Sequence, residues 1–154
     1  MIQLRAMTTK EFPAYCDYFV ADYSRDIVKN QGLSNAKALE VAKQTLEQSF
    51  PQGVESQGQQ LLCIEHGTAL VGYLWHSINL SDNSSYIYDF YIFPRERNKG
   101  FGKLAIEALE LMLAASGVQQ IKLRVAFHNQ RALKLYEEVG FTVTGYNMSK
   151  SLSQ

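Results

Sequence analysis

A basic turn that contains two glycines is the part of this 154-residue chain best suited to chemistry. Residues 92–103 read IFPRERNKGFGK and lie between an aromatic run and a stretch with helical apolar spacing. A strand, then glycines, then a helix start present free backbone N–H groups at the positive end of a helix dipole, and such groups bind phosphate. Gly100 and Gly102 would let a pyrophosphate approach the backbone. Positive charge is added by Arg95, Arg97, Lys99 and Lys103. The turn therefore predicts a polyphosphate ligand.

Two common phosphate-binding motifs do not match this turn. The P-loop requires serine or threonine after its lysine, whereas Lys103 is followed by Leu104. The dinucleotide fingerprint requires a third glycine, where this chain has Ala105, and an acidic residue after the next strand, which residues 121–127 do not supply. A nucleotide-binding protein is therefore disfavoured. A flexible helix start without a ligand is the other alternative.

Two longer patterns match a known family. Residues 97–102 read RNKGFG, which fits the pattern Arg/Gln-x-x-Gly-x-Gly/Ala, and Ile92-Phe93-Pro94 precede them. Residues 129–141 read NQRALKLYEEVGF, which fits Asn-x-x-Ala-x-x-Leu-Tyr-x-x-x-Gly-Phe. Together these patterns resemble the acyl-CoA-binding motifs of the GNAT superfamily of N-acetyltransferases. The resemblance is strong from Tyr86 to about Met148 and looser over residues 1–80.

The resemblance implies a fold and an activity. The fold is α/β, with a GNAT-like mixed, mostly antiparallel central sheet of six to seven strands, helices on both faces, and strands four and five splayed so that CoA enters between them. The activity is direct transfer of an acetyl group from acetyl-CoA to a primary amine of an unidentified small-molecule or peptide acceptor, in a ternary complex and without a metal. The alternative is a non-catalytic acyl-CoA-binding sensor or interaction module, which would need neither Asp89 nor Tyr136.

The resemblance also assigns a cosubstrate site. The strand backbone near Tyr91 and Ile92 would pair with pantetheine, and an N–H there would hold the oxyanion. Arg97 would lie at the pyrophosphate, and Asn129 could cap a helix and also bond pantetheine. The full predicted set is Tyr91, Ile92, Arg97, Asn98, Lys99, Gly100, Phe101, Gly102, Lys103, Asn129 and Tyr136.

Asp89 is the charged residue of the aromatic run YIYDFYIF at residues 86–93. Burial among aromatic rings raises the pKa of a carboxyl toward neutrality, which suits a general base for an amine. A structural role at a strand bulge, or orientation of the substrate, is the alternative, and a water can relay the proton.

Tyr136 matches the tyrosine that the GNAT motif places near the CoA sulfur, as the general acid for the departing thiolate. The alternative is a core aromatic residue whose hydroxyl lies at the edge. Trp75, with Asp89, could line the acceptor pocket or belong to the core. Further candidates for this pocket lie on a helix face that is also the core face: Tyr15, Tyr18, Asp22 and Tyr23.

Apolar spacing and turn residues predict the elements that position these side chains. Strands are predicted over residues 2–7, 61–65, 70–78, 86–93, 121–127 and 141–150. Helices are predicted from residue 12 to before Gly32 and over residues 34–50, 100–116 and 129–139. Thr8 and Glu11 match a capping box, and Ser34 matches a helix cap. The second helix is predicted to bury Leu39, Ala42, Leu46 and Phe50.

Length and composition give expectations for the number of domains, the binding partners and the location of the protein. The length suits a single domain over residues 1–154, and 46% hydrophobic residues suit a packed core. The net charge of zero gives no reason to expect nucleic acid or a membrane as a partner. Two cysteines and no signal-like apolar segment favour a cytoplasmic protein. The family resemblance allows a homodimer, which no sequence feature demonstrates.

Overall fold

The computed structural model describes residues 1–152. Its strands and helices follow one another as β1 (Ile2–Ala6), α1 (Phe12–Gln31), α2 (Asn35–Ser49), β2 (Gln60–His66), β3 (Ala69–Asn79), β4 (Ser84–Ile92), α3 (Phe101–Ala115), β5 (Gln120–Leu123) and α4 (Gln130–Glu138). Up to α4 this is the predicted order of elements.

The strands form one sheet in the order β1-β2-β3-β4-β5. The first four strands are antiparallel neighbours, whereas β5 lies parallel to β4. The pairing of β4 with β5 covers only Ser84–Ile87 and Gln120–Leu123. Since β4 continues to Ile92, its second half has no neighbour on that side. The predicted splay of the fourth and fifth strands is therefore present, and it leaves a gap beside residues 88–92.

The predicted sixth strand is wrong, and the described residues form five strands instead of six to seven. No strand is found between residues 139 and 152, and β5 ends at Leu123 instead of residue 127. Phe141 packs on the core, but Val143, Tyr146 and Met148 are 48%, 80% and 92% exposed. An alternating pattern specifies a strand only when one face is buried, and this segment buries neither face.

Helices cover both faces of the sheet, as predicted. On one face α3 packs on the sheet through Ile64, Val71, Leu74, Ile87, Ile106 and Leu109. On the other face α1 and α2 pack through a largely aromatic cluster: Tyr15, Phe19, Leu46, Phe50, Cys63, Tyr73 and Trp75. Leu39 was predicted to be buried here but is 41% exposed, because Ala38 takes the buried position beside it.

The helix starts agree with the sequence in part. Ser34 Oγ accepts a hydrogen bond from the Lys37 N–H at 3.2 Å, which is the predicted cap of α2. The capping box before α1 forms only by half. Glu11 accepts from the Thr8 N–H at 3.0 Å, but the Thr8 hydroxyl also donates to Glu11 and leaves the helix N–H groups uncapped.

Gly72 fixes the approach of β3 to β4. A Cβ at this position would overlap the carbonyl oxygen of Tyr91 and lie 3.1 Å from the Cα of Ile92. Only glycine lets the two strands pass at this point, so Gly72 sets the position of the strand that carries the site.

Candidate active site

A bulge in β4 places two consecutive side chains on the same face of the sheet. Trp75 pairs with Asp89 and His76 pairs with Ile87, so Tyr88 is the extra residue. Tyr88 stacks on the Trp75 ring with centroids 4.9 Å apart, and Asp89 turns toward α1. Bulges commonly re-aim a side chain in this way. Asp89 therefore does lie at a strand bulge, which is the position that the alternative, structural interpretation of this residue predicted.

Two tyrosines of α1 hold the Asp89 carboxylate. Tyr15 Oη donates to Oδ2 and Tyr18 Oη donates to Oδ1, each at 2.9 Å. Burial raises the pKa of Asp89 to about 7, although both hydroxyl donors act to lower it. The nearby charges of Asp22 and Asp26 raise this pKa further. A carboxyl that titrates near neutrality can accept a proton from an amine at physiological pH.

Tyr136 lies on α4, near enough to Asp89 for the charge of that carboxylate to act on its hydroxyl. Its side chain is 9% exposed and packs near the rings of Phe90 and Phe141, with centroids 6.3 and 5.6 Å away. Burial raises the pKa of the Tyr136 hydroxyl above its usual value, and the charge of Asp89 raises it further. The phenol is therefore protonated at neutral pH. It has no hydrogen-bond partner within residues 1–152, so it is available as a donor.

The basic turn leads into α3 as predicted. Gly100 is the N-cap residue and has a φ of +83°, a left-handed conformation that favours glycine. A Cβ added to Gly100 would meet no atom within 4 Å, so this side of the turn is open to a ligand. The first helical N–H with a backbone acceptor in the described chain is that of Leu104, which donates to the Gly100 carbonyl at 3.2 Å. The preceding N–H groups are left for an anion.

Gly102 has a different reason to be glycine. A Cβ at this position would lie 3.0 Å from Cδ2 of Leu135 on α4. The small residue therefore lets α3 pack against α4. The sequence pattern assigns Gly102 to the close approach of a pyrophosphate, and the structure adds this packing constraint.

The cations of the turn point in different directions. Lys99 pairs with Glu96 at 3.0 Å and is exposed, as are Arg95 and Lys103. Arg97 instead folds back over the strand. Its Nε donates to the Ile92 carbonyl at 2.8 Å, and its guanidinium carbon lies 5.2 Å from the centre of the Tyr91 ring.

The backbone of Ile92 faces the gap. The Phe93 N–H donates to the Val71 carbonyl on β3 at 2.9 Å. Since backbone groups of successive strand residues face opposite edges, the N–H and carbonyl of Ile92 point away from β3. The backbone groups of Tyr91 point toward β3, where this residue pairs with Tyr73. Tyr91 therefore offers its ring to the site, and Ile92 offers its backbone.

Asn129 caps α4, as predicted. Its Oδ1 accepts from the Ala132 N–H at 3.2 Å. No hydrogen bond of its side-chain NH₂ group is present in the described part of the chain. This donor is free for the second role that the motif implies.

Trp75 belongs to the core. It is 3% exposed, its Nε1 donates to Gln59 Oε1 at 2.7 Å, and Tyr88 covers it. Tyr88, which is 52% exposed, is the aromatic residue that a bound molecule could touch at this position.

Sequence reasoning missed how α1 contributes to the site. Tyr15 and Tyr18 were candidates for the acceptor pocket, but not as partners of Asp89. Asp26 and His128 were assigned no role, yet Asp26 Oδ1 and His128 Nε2 lie 3.7 Å apart and link α1 to the loop before α4. The available signal was the four-residue spacing of Tyr18, Asp22 and Asp26 along one helix.

Other kinds of site find no support in the described chain. Residues 1–152 contain no group of three or more His, Cys, Asp or Glu side chains that could hold a metal ion. None of the helices found in this range has the length and apolar character needed to cross a membrane. Both cysteines are free thiols.

Comparison with known proteins places the chain in a family. A model of the acetyltransferase (GNAT) family matches residues 16–141. The uncharacterized N-acetyltransferase YycN of Bacillus subtilis is 33% identical over 154 residues, which cover 98% of this chain and 99% of YycN. The N-acetyltransferase YdgE of the same organism is 26% identical over 97% of both chains.

Solved structures agree with this placement. The crystal structure of YycN superimposes with a TM-score of 0.93 at 32% identity and covers 100% of both chains. The PaiA N-acetyltransferase of Thermoplasma acidophilum, solved in complex with coenzyme A, has a TM-score of 0.72 over 96% of this chain and 93% of its own. At 16% identity, PaiA supports the fold alone. The sequence and structural matches together show that the chain belongs to the GNAT family and is an N-acetyltransferase.

Proposed function

We propose that the protein transfers the acetyl group of acetyl-CoA directly to a primary amine, with both substrates bound at once. The observation that carries this proposal is the position of Asp89 and Tyr136 beside the gap between β4 and β5. One group has a pKa of about 7 and can accept a proton, and the other is a protonated phenol without a partner. Acetyl transfer from a thioester to an amine requires one group of each kind.

The turn before α3 and the edge of β4 hold the cosubstrate in this proposal. The free N–H groups around Gly100 bind the pyrophosphate, and Lys99 and Lys103 add positive charge. Ile92 offers its backbone N–H and carbonyl to the pantetheine arm, and Asn129 offers its NH₂ group. Arg97 must release the Ile92 carbonyl, and it then reaches the pyrophosphate that the motif assigns to it. The GNAT family to which the chain belongs motivates this choice of cosubstrate, and PaiA, a protein of the same fold, was solved in complex with coenzyme A.

The chemical roles follow from these positions. Asp89 takes a proton from the ammonium form of the acceptor, directly or through a water, and frees the nitrogen lone pair. The nitrogen attacks the thioester carbonyl carbon, and the Ile92 N–H stabilises the resulting oxyanion. When the carbon–sulfur bond breaks, Tyr136 gives its proton to the thiolate. The nitrogen loses its second proton to solvent as the amide forms, and Tyr136 takes a proton back from solvent. Much of the acceleration comes from holding both reactants in position.

The test is a calorimetric titration of the purified protein with acetyl-CoA, followed by a thiol-release assay with a panel of primary amines. We expect saturable binding, and thiol release that requires an amine. The Asp89→Asn variant should bind acetyl-CoA normally and release little thiol. The control is Asp17→Asn, which removes an exposed carboxylate from the same helix that holds Asp89. Absence of acetyl-CoA binding would contradict the proposal. Binding without release from any amine would favour a non-catalytic acyl-CoA-binding module.

A further inference from the structure

The segment that follows α4 forms an arm that is open to solvent. We call residues 142–150 the C-terminal arm. Every residue of the arm is exposed, and no hydrogen bond joins the arm to any residue within 1–152. Val143, Tyr146 and Met148 are large apolar residues, and their exposure leaves apolar surface in contact with water. Contiguous exposed apolar surface of this kind marks a place where another surface binds.

The root of the arm is held in place by the fold. The Phe141 N–H donates to the Tyr136 carbonyl at 2.9 Å, and the two rings lie 5.6 Å apart. Gly140, with a φ of +106°, turns the chain out of α4. The direction in which the arm leaves α4 is therefore set, and the arm does not lie along the surface of its own chain.

The arm has the residue types of a strand. Its sequence TVTGYNMSK contains two threonines, a valine and a tyrosine, which strands favour. Glycine inside a strand often marks a bulge, which inserts one extra residue. A bulge at Gly145 would place Val143, Tyr146 and Met148 on the same face as Phe141, which packs on the core. The arm could then bury one continuous apolar face.

The strand β5 has a free edge that could bind such an arm. It is the last strand in the order of the sheet, so its side away from β4 pairs with no strand among residues 1–152. Ile121 and Leu123 pack on the core but are only partly buried. An unpaired strand edge presents N–H and carbonyl groups to any extended chain that reaches it.

The arm and this edge complement each other, yet they do not meet within one chain. Consecutive strands are usually neighbours in a sheet, so the expected place for a strand that follows β5 is beside β5. Two copies of the chain can satisfy both elements if each arm lies on the β5 of the other copy. This exchange is reciprocal and closed, so it leaves no arm and no β5 edge unpaired.

We propose that two copies of the chain associate by exchanging their C-terminal arms, and that each arm adds a strand to the free edge of β5 in the other copy. Each sheet would then have a sixth strand, which comes from its partner. The inference goes beyond the proposed function and does not depend on it, because no residue of the arm or of β5 has a role in the proposed transfer.

Sedimentation of the full-length protein over a range of concentrations tests the association. We expect a reversible dimer. Met148→Asp should raise its dissociation constant about tenfold or more, because the exchange would bury a charge in place of an apolar side chain. Leu80→Asp is the matched control, since it makes a comparable change at another exposed residue, 82% against 92%, in the turn after β3. The control should dimerise like the wild type.

Cross-linking tests which edge receives the arm. In a Cys16→Ala background the remaining native thiol, Cys63, is buried. Thr144→Cys in the arm is mixed with Gln120→Cys on β5 or with Gln3→Cys on β1, the strand at the other end of the sheet. All three positions are exposed. A bis-maleimide with a reach of about 10 Å spans three strand residues, so the exact register need not be known. We expect a cross-link between two chains with Gln120→Cys and none with Gln3→Cys.

Four results would overturn the inference. The first is a protein that stays monomeric at all concentrations. The second is a dimer that Met148→Asp and Leu80→Asp weaken equally, since its interface would not use the arm. The third is equal cross-linking to the two glutamine positions. The fourth is a cross-link within a single chain that carries both Gln120→Cys and Thr144→Cys, since the arm would then lie on its own β5.

Discussion

Tyr18 and Asp89 are joined by a hydrogen bond of 2.9 Å between residues 71 positions apart in the chain. The bond connects α1 to the bulged part of β4. It therefore fixes the position of the proposed base relative to α1. The same contact also limits how far the pKa of Asp89 can rise, because a donor to a carboxylate favours its charged form.

The rate should depend on pH through Asp89. Its pKa is raised to about 7, and only the deprotonated form accepts a proton. We expect kcat/KM to increase as the pH rises from 6 to 8. Above pH 8, Asp89 is fully deprotonated and should cause no further increase. Asp89→Asn should remove this dependence and lower the rate by about 10² to 10⁴-fold. A pH profile of thiol release measures both effects, and an unchanged profile in the variant would contradict the assignment.

Asp89 should reduce the stability of the fold at high pH. A carboxyl whose pKa is raised in the folded state holds its proton longer there than in the unfolded state, so stability falls as the pH rises toward about 7. Asp89→Asn should therefore raise the melting temperature relative to wild type at pH 8. The difference should shrink at pH 5, where Asp89 is mostly protonated. A thermal melt at the two pH values tests the sign.

Tyr136→Phe should lower turnover more than it lowers acetyl-CoA affinity. The variant keeps the buried ring and removes only the unpartnered hydroxyl, so the fold should be unaffected. We expect kcat to fall by about 10²-fold, as for the loss of a general acid. Tyr146→Phe, at a residue that is 80% exposed, is the control. Parallel losses of kcat and calorimetric affinity in Tyr136→Phe would argue against the acid role.

Gly100→Val should abolish acetyl-CoA binding while the chain stays folded. The added side chain meets no protein atom, so the cost to the fold is backbone strain of about 1 to 2 kcal/mol. Gly117→Val is a matched control, because Gly117 has a φ of +86°, is equally open and lies at the other end of α3. Equal acetyl-CoA affinity in the two variants would remove the turn as the phosphate site.

Gly72→Ala should destabilise the protein by about 3 kcal/mol or more, because its Cβ meets rigid backbone. Gly67→Ala is the comparison. Gly67 has a φ of +64° but open space around it, so its substitution should cost only about 1 kcal/mol of conformational strain. Chemical denaturation of the two variants would show the difference, and similar midpoints would contradict the close approach of β3 and β4.

Local signals in the sequence predicted much of the fold and little of the contact network around the site. The caps at Ser34 and Asn129 depend on the residues beside them, so they were predictable. The strand predicted over residues 141–150 was wrong, because an alternating pattern specifies a strand only if another surface covers one of its faces. The hydrogen bonds from Tyr15 and Tyr18 to Asp89 join distant segments, and a single sequence carries no signal for such pairs.

Arg97 links the two halves of the proposed reaction. Its Nε donates to the Ile92 carbonyl, where the pantetheine arm is proposed to bind, and its charge also acts on the Asp22 carboxylate of α1. Exchange of this side chain by the cosubstrate would free a carboxylate for the amine. We therefore expect coenzyme A to tighten amine binding, and the amine to tighten coenzyme A binding by the same factor, since linkage is reciprocal. Titration of the amine with and without coenzyme A would measure that factor, and a factor of one would mean that Arg97 does not connect the two sites.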